Sequence, residues 1–236
     1  MKTIGLIGGM SWESSAEYYR MINEEIKKKL GGLHSAKCVL YSVDFKEIEH
    51  YQSEGAWDKA GAALGEAARS LEKAGADFIV ICTNTMHKVI GYIQKMITIP
   101  ILHIADATAD QITRQGIRSV GLLGTKYTME QDFYKSRIES HNINVIVPSD
   151  EEREVINHII YQELCLGEIK QSSKTMYKKI ISHLVDRGAE GIILGCTEIG
   201  LLVKAEDSEV PLFDTAFIHA QTAVNTSFLV AVNAAK

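Results

Sequence analysis

The chain has 236 residues, of which 46% are hydrophobic and 23% are charged, with a formal net charge of −5 at pH 7. A chain of this length can bury a large core, and this composition is typical of a globular enzyme rather than a disordered chain. The negative charge argues against nucleic acid as a partner, because phosphates are bound by basic patches. The sequence also lacks a run of about 18 apolar residues, which argues against a membrane span.

The cysteines and histidines indicate where the protein works and what it binds. The four cysteines are widely separated without a C-x-x-C pair, which argues against a disulfide scaffold and a zinc knuckle. The histidines lack a ligand spacing such as H-E-x-x-H, so we predict no metal site. The N-terminal apolar run reaches glycines and Glu13 too soon for a secretory signal. We therefore expect a cytoplasmic protein with reduced thiols.

Strand and helix patterns alternate along the whole chain. The first half predicts a strand over 3–8, a helix capped by Ser11, a strand over 38–44 and a polar loop to residue 57. A helix over 57–73, a strand within 75–85 and a helix to about residue 95 follow. The second half predicts short strands at 99–103 and 210–214, longer strands at 119–124, 145–147 and 188–198, and helices between them. A last helix is predicted to run to the C-terminus.

Three landmarks recur in the same order, at offsets of 116, 113 and 111 residues. The second of them aligns residues 75–85, GADFIVICTNT, with residues 188–198, GAEGIILGCTE, without a gap. Three colinear repeats indicate an internal duplication. We therefore predict an α/β fold with two pseudo-twofold-related lobes, each a parallel sheet flanked by helices. Lobe 1 is predicted to comprise 1–98 plus 210–236, and lobe 2 to comprise 99–209.

Ligands of open parallel sheets collect beyond the carboxyl ends of the strands. The ungapped alignment places Cys196 opposite Thr83, and Cys82 opposite Gly195. Two facing lobes would bring Thr83 to one side of a small ligand and Cys196 to the other. Short side-chain donors that suit a carboxylate stand near the predicted helix starts. These donors are Asn84, Thr85, Thr125 and Thr197.

Cys196 is the candidate for a reactive thiol, because it follows a strand and precedes a predicted helix whose N-terminus would stabilise a thiolate. A shift of one residue at a strand end turns a side chain to the opposite face. Cys82 is therefore predicted to face packing, unless a local bulge reverses it. Patterns for a P-loop and a serine nucleophile elbow are absent, and the glycine turns give only weak support for nucleotide binding.

Three stretches carry a resemblance to a known family. GLIGGM near the start, T-N-T-x-H after the third strand and G-C-T-E late in the chain resemble the cofactor-independent aspartate/glutamate racemase family. GGMSWES, CTNTMHK and GCTEIGLLV are similar to its enterobacterial branch of broad-specificity or L-Asp/Glu-directed racemases. The resemblance implies two Rossmann-like lobes with the site in the cleft between them, no cofactor, a small-molecule amino-acid substrate, and a homodimer. It also implies inversion of an α-carbon by two facing groups, one taking the α-proton and the other returning a proton.

The sequence departs from the family pattern at one of these groups. The family commonly has Cys directly before Asn-Thr, whereas this chain has Thr83 there. A hydroxyl is a far weaker acid than a thiol, so Thr83 is expected to donate a proton rather than to act as a free base. The late cysteine of the family faces the L-enantiomer. Cys196 is therefore expected to deprotonate L-substrate, and Thr83 to donate the proton that forms the D-enantiomer.

The expected substrate depends on a second departure from the family pattern. Acid-specific relatives place an Arg in the loop after the second strand, whereas residues 45–57 contain none. Gln52 is the expected replacement, with Met10 lining the pocket; the alternative is that Gln52 is a solvated loop residue. An amide recognises carboxylate, amide and hydroxyl groups, so aspartate, glutamate, asparagine and homoserine stay open.

Two other functions fit the same pattern. An arylmalonate-decarboxylase-like enzyme, or another isomerase of the superfamily, would reuse the cleft, and the decarboxylase needs only Cys196. A non-catalytic small-molecule binding module would also suit two lobes and a cleft.

Overall fold

Two parallel sheets with the same strand order form the centre of the protein. The computed structural model describes residues 1–229. The first sheet has the order β2-β1-β3-β4 and the second the order β6-β5-β7-β8. The strands are β1 Ile4–Gly8, β2 Cys38–Ser42, β3 Phe78–Ile81, β4 Ile101–Leu102, β5 Ser119–Gly124, β6 Asn144–Ile146, β7 Gly191–Gly195 and β8 Leu212–Asp214. The predicted α/β fold with two related parallel sheets is confirmed.

Eleven helices are assigned in the described residues, and short 3-10 turns follow β3, α8 and α10. They are α1 Trp12–Leu30, α2 Phe45–Ser53, α3 Trp57–Lys73, α4 Ile90–Gln94, α5 Ile104–Arg114, α6 Lys126–Glu130, α7 Asp132–Glu139, α8 Asp150–Gln162, α9 Gln171–Asp186, α10 Ile199–Leu202 and α11 Thr215–Ser227. The predicted cap of α1 is confirmed, since the Ser11 side chain accepts a hydrogen bond from the Ser14 backbone N–H.

The repeated glycines let helices approach the central strands closely. A Cβ at Gly5 would lie 2.9 Å from both Ala76 and Ile79. The equivalent atom at Gly121 would lie 2.7 Å from Ile192 and 2.8 Å from Leu184. A methyl group at either position would therefore collide with the helix, turn or strand beside it, which explains why both copies of the repeat carry glycine there.

The two sheets exchange helices. Helix α5 follows β4 of the first sheet, yet its apolar face packs into the core of the second sheet. Helix α11 follows β8 of the second sheet and packs with α1 into the core of the first. The two exchanged helices also contact each other. The lobes are consequently joined by two crossed connections rather than by a single linker.

The predicted lobe boundaries separate β4 and β8 from the strands with which they pair. The strands pair across the boundaries, because Ile101–Leu102 pairs with β3 and Leu212–Asp214 pairs with β7. Residues 230–236 of the predicted first lobe lie outside the described residues. The division into 1–98 plus 210–236 and 99–209 stays a prediction.

The predicted polar loop after β2 is wrong, because Phe45–Ser53 forms α2. The Asp44 side chain caps this helix by accepting a hydrogen bond from the Lys46 backbone N–H. One face of the helix is buried through Ile48 and Gln52, which are four residues apart and so lie on the same side. The helix is amphipathic, but it is only nine residues long, and its many polar residues mask the spacing.

Candidate functional site

The Cys196 thiol lies directly after β7 and contacts a carboxylate. Its Sγ donates a hydrogen bond to Oε2 of Glu198 at 3.0 Å. The hydroxyl of Thr197 donates to the same oxygen at 2.8 Å, and the hydroxyl of Ser11 donates to Oε1 at 2.8 Å. Glu198 is only 3% exposed, so its charge is satisfied inside the protein by these donors. Since Ser11 begins α1 of the first lobe, this cluster connects the two lobes.

The expected stabilisation of a Cys196 thiolate by a helix is wrong. Burial, and then the negative charge of Glu198, raise the pKa of the Cys196 thiol well above its usual value. The helix that follows, α10, has only four residues and offers little dipole to oppose these effects. The resting thiol is therefore protonated.

Thr83 lies at the end of β3 and is half-buried. The carbonyl oxygen of Thr83 lies 2.8 Å from Nδ1 of His87, while the Ile104 backbone N–H donates to Nε2 of the same ring at 3.2 Å. Because Nε2 accepts a hydrogen bond, the neutral ring carries its proton on Nδ1 and donates to Thr83. Burial lowers the pKa of His87 to about 4, which keeps this tautomer neutral near pH 7. His87 thus ties the end of β3 to the start of α5.

Cys82 is fully buried and belongs to the core between the first sheet and helices α1 and α11. Its neighbour Ile81 packs on the opposite face of the sheet, with α3. Burial raises the pKa of the Cys82 thiol far above its usual range. The prediction that Cys82 faces packing is confirmed.

Side-chain hydrogen bonds link the predicted polar donors after β3 to the second sheet. The hydroxyls of Thr85 and Thr125 are 3.1 Å apart, and Thr125 also caps α6 by accepting from the Thr128 N–H. The Asn84 amide donates to the Thr215 hydroxyl at 3.0 Å, and that hydroxyl donates to the Leu194 carbonyl at 2.8 Å. The Asn84 Oδ1 atom is buried and has no hydrogen-bond partner among the described residues. It is an acceptor that a ligand can satisfy.

Gln52 is buried on α2, so the alternative of a solvated loop residue is wrong. Its amide nitrogen donates to Met86 Sδ at 3.0 Å, and the Tyr161 hydroxyl donates to its Oε1 at 3.5 Å. Met10, 4% exposed, packs in the same core region as Met86. A cavity of about 420 Å³ opens beside Gln52 between α2 of the first lobe and helices α6 and α8 of the second.

Three histidines that the sequence analysis assigned no chemical role cluster behind Thr83. The His87 ring centroid lies 4.7 Å from that of His103 and 5.8 Å from that of His219. Burial lowers the pKa of His103 to about 2 and that of His219 to about 3. Their hydrogen bonds go mainly to the backbone, including that of His219 Nε2 to the Leu102 carbonyl at 3.0 Å. They serve packing and backbone fixation.

Sequence reasoning placed Ser11 and Glu198 near the strand ends but gave no chemical role at the site to them or to His87. Glu198 and His87 stand inside the G-C-T-E and T-N-T-x-H stretches, but their partners come from other elements. Within residues 1–229, His, Cys, Asp and Glu side chains form no group of three or more that could hold a metal ion. The same residues contain no helix long and apolar enough to cross a membrane.

Comparison with known proteins places the chain among racemases. The family model described as Asp/Glu/Hydantoin racemase matches residues 7–223. The crystal structure of a candidate Asp/Glu racemase from Yersinia pestis is similar, with 57% sequence identity, a TM-score of 0.91, and coverage of 97% of this chain and 100% of that chain. PH1733, an aspartate racemase homologue from Pyrococcus horikoshii OT3, has 38% identity and a TM-score of 0.82, covering 96% and 99% of the two chains. The broad specificity amino-acid racemase RacX of Bacillus subtilis is 26% identical, covering 94% of this chain and 97% of its own length.

Proposed function

The chain belongs to the Asp/Glu/hydantoin racemase family, and we propose that it interconverts L- and D-amino acids by proton transfer between Cys196 and Thr83. The observation that carries the proposal is the equivalence of these two residues in the duplicated fold. Thr83 follows the third strand of the first sheet, and Cys196 follows the corresponding strand of the second. The contact of Thr85 with Thr125 of the second lobe, and the link from Asn84 through Thr215 to the Leu194 carbonyl of β7, support a common site between those strand ends.

In this mechanism Cys196 removes the α-proton of the L-enantiomer as a thiolate. The electron pair of the broken C–H bond stays on the substrate as a carbanion-like species, which a water-poor site with fixed donors stabilises. The Thr83 hydroxyl then donates its proton to the opposite face, and the resulting alkoxide regains a proton from solvent. A threonine hydroxyl can serve here because the carbanion is a very strong base.

Substrate contacts are proposed for the polar residues around these strand ends. The free Asn84 Oδ1 is suited to accept from the α-ammonium group, and the hydroxyls of Thr85, Thr125 and Thr197 are suited to bind the α-carboxylate. Gln52 and Met10 are proposed to contact the substrate side chain. Aspartate, glutamate, asparagine and homoserine are the proposed candidates. A cytoplasmic homodimer also stays a proposal, which cell fractionation and light scattering would test.

The test is chiral chromatography of a panel of L-amino acids incubated with the purified full chain and no added cofactor. We expect D-enantiomer to form, and Cys196→Ser and Thr83→Ala to abolish it, while Glu66→Gln on the exposed face of α3 keeps the wild-type rate. Racemisation by Cys196→Ser at the wild-type rate would overturn the proposal. Decarboxylation of arylmalonates, or amino-acid binding without turnover, would point to the alternative functions.

A further inference from the structure

Glu198 is the one buried carboxylate in direct contact with a proposed catalytic group in the described part of the chain. We propose that Glu198 accepts the thiol proton of Cys196 during catalysis and returns it afterwards, so that the base acting on L-substrate is a thiol–carboxylate pair. This inference rests on the proposed racemase function, and it adds a residue that acts through Cys196 rather than on the substrate.

Hydrogen bonds hold the Glu198 carboxylate beside the Cys196 thiol. Oε2 of Glu198 lies 3.0 Å from Sγ of Cys196, within reach of direct proton transfer. The opposite oxygen accepts from Ser11, whose own oxygen accepts from the Ser14 backbone N–H as the cap of α1. Ser11 is therefore held from behind and holds Glu198 in turn. The Thr197 hydroxyl completes the set, so the side chain cannot turn away without losing hydrogen bonds.

Charge explains why such a pair is needed. Ionising the thiol to solvent would leave two negative charges about 3 Å apart in a buried site, which is strongly unfavourable. Moving the proton from Sγ to Oε2 instead gives a thiolate and a neutral carboxylic acid. The pair carries a single negative charge before and after this transfer, and the charge passes to the substrate when the thiolate takes the α-proton.

The protons balance over one turnover. The proton leaves Sγ for Glu198, the thiolate takes the α-proton, and Cys196 is again a thiol. Thr83 gives its proton to the carbanion. When product leaves, Glu198 releases its proton and Thr83 regains one, so the enzyme is unchanged. In the reverse direction Thr83 first releases its proton and Glu198 takes one up. The Thr83 alkoxide then removes the α-proton of the D-enantiomer, the Cys196 thiol protonates the carbanion, and Glu198 supplies the replacement proton to the thiolate.

Glu198→Gln distinguishes this role from a merely electrostatic one, because the two roles predict opposite changes in the racemisation rate at neutral pH. If Glu198 acts only as a neighbouring negative charge, Glu198→Gln makes the thiol more acidic and racemisation at neutral pH faster. If Glu198 accepts the proton, the same variant loses racemisation although its thiolate forms more easily. Glu198→Asp keeps a carboxylate on a shorter side chain and is expected to retain an intermediate rate.

The experiment measures L-to-D racemisation from about pH 6 to about pH 10, and alkylation of Cys196 by iodoacetamide followed by mass spectrometry, in the wild type, Glu198→Gln, Glu198→Asp and Glu66→Gln. We expect Glu198→Gln to be alkylated at least as fast as the wild type, while its racemisation at neutral pH falls by about 100-fold and recovers as the pH rises. Glu66→Gln should match the wild type in both assays.

Equal or faster racemisation by Glu198→Gln at neutral pH would overturn the inference. So would a parallel fall in alkylation and racemisation with an unchanged pH profile, since that would report a disturbed site only. The proposed function fails separately, if Cys196→Ser still racemises. An inactive Cys196→Ser beside a fully active Glu198→Gln would remove the role of Glu198 and leave the two-residue mechanism standing.

Discussion

His87 donates a hydrogen bond from Nδ1 to the carbonyl oxygen of Thr83 at 2.8 Å, while its Nε2 accepts the backbone N–H of Ile104. A single buried ring therefore fixes the end of β3 against the first turn of α5, the helix that packs into the second lobe. The bridge holds the Thr83 carbonyl, and with it the backbone that carries the proposed hydroxyl donor.

Replacing His87 should impair the Thr83 half-reaction more than the Cys196 half-reaction. His87→Gln can keep one hydrogen bond but not both, because a glutamine side chain cannot span the distance between the Thr83 carbonyl and the Ile104 N–H as the imidazole ring does. We expect racemisation to fall by about tenfold or more, as small misplacements of reacting groups are costly. Deuterium exchange into recovered L-substrate in D2O should fall much less. An equal loss of both activities would contradict a positioning role specific to Thr83.

Cys82 provides the matched control for the choice of Thr83. Cys82→Ala removes a thiol from the core, so we expect a loss of about 1 kcal/mol in the free energy of unfolding, as for other small core truncations. Racemisation should stay within about twofold of the wild type, since Cys82 lies under α1 rather than at the site. Urea denaturation and chiral chromatography on the same preparation check both values. Loss of activity in a folded Cys82→Ala protein would contradict the assignment.

Thr83→Cys should place a thiol on each side of the substrate. The protein should tolerate the change, because the two side chains have similar size. A thiol is the stronger acid and its thiolate an accessible base, so removal of the α-proton from the D-enantiomer should become easier. We expect the D-to-L rate at saturating substrate to rise severalfold, with the equilibrium between enantiomers unchanged. Polarimetry started from each enantiomer measures this, and a slower D-to-L rate would count against the role given to the hydroxyl.

Gln52→Arg should shift preference toward substrates with an acidic side chain. The guanidinium supplies a charged, bidentate partner for a carboxylate where the wild-type amide supplies one neutral donor. We expect kcat/KM for aspartate or glutamate to rise about tenfold relative to homoserine, equivalent to about 1.4 kcal/mol. Gln131→Arg, on the rim of the same cavity, is the control for added charge alone. An unchanged ratio in Gln52→Arg would remove Gln52 from the side-chain pocket.

The buried histidine cluster should make stability depend on pH in a defined window. Burial lowers the pKa values of His87, His103 and His219 to between about 2 and 4, below the unfolded value of about 6.5. Between these limits the unfolded chain binds protons that the native state does not, so stability is full above pH 6.5 and falls as the pH drops toward 4. Each histidine contributes a slope of up to about 1.4 kcal/mol per pH unit.

His103→Asn tests this slope with little structural cost. His103 caps α5 by accepting the Ala105 backbone N–H at 3.1 Å, and asparagine caps helices at least as well. The variant should therefore lose about one histidine's share of the pH slope while keeping its stability at pH 7. Urea titrations from about pH 7 down to about pH 4.5 give the comparison. An unchanged slope would show that His103 protonates as freely in the native state as in the unfolded chain.

The sequence predicts the duplicated fold because local patterns encode it. The glycines at 5 and 121 and the aliphatic runs after Gly75 and Gly188 repeat in register, and the alternation of faces correctly buries Cys82. Helix α2 was missed because a nine-residue amphipathic helix with many polar residues resembles a loop. The pairing of β4 and β8 with the opposite lobe from their helices has no local signature, since two- and three-residue strands carry little pattern.

The candidate site was predictable in its residue types but not in its electrostatics. The register places Cys196 opposite Thr83, and the motifs contain Glu198 and His87. What sets the protonation of Cys196 is burial and the contact with Glu198, which in turn needs Ser11 from the other end of the chain. Such relationships arise only when the lobes pack together, so the expected lowering of the thiol pKa by a helix was wrong.

The central claim is an unequal pair in which Cys196 exchanges the α-proton of L-substrate and Thr83 completes the inversion. The most direct measurement is deuterium incorporation in D2O by Thr83→Ala, starting separately from the L- and the D-enantiomer and analysed by chiral chromatography with mass spectrometry. We predict that the variant places deuterium in recovered L-substrate, leaves D-substrate unlabelled and produces almost no inverted product. Equal labelling of both enantiomers, or normal racemisation by Thr83→Ala, would contradict the account.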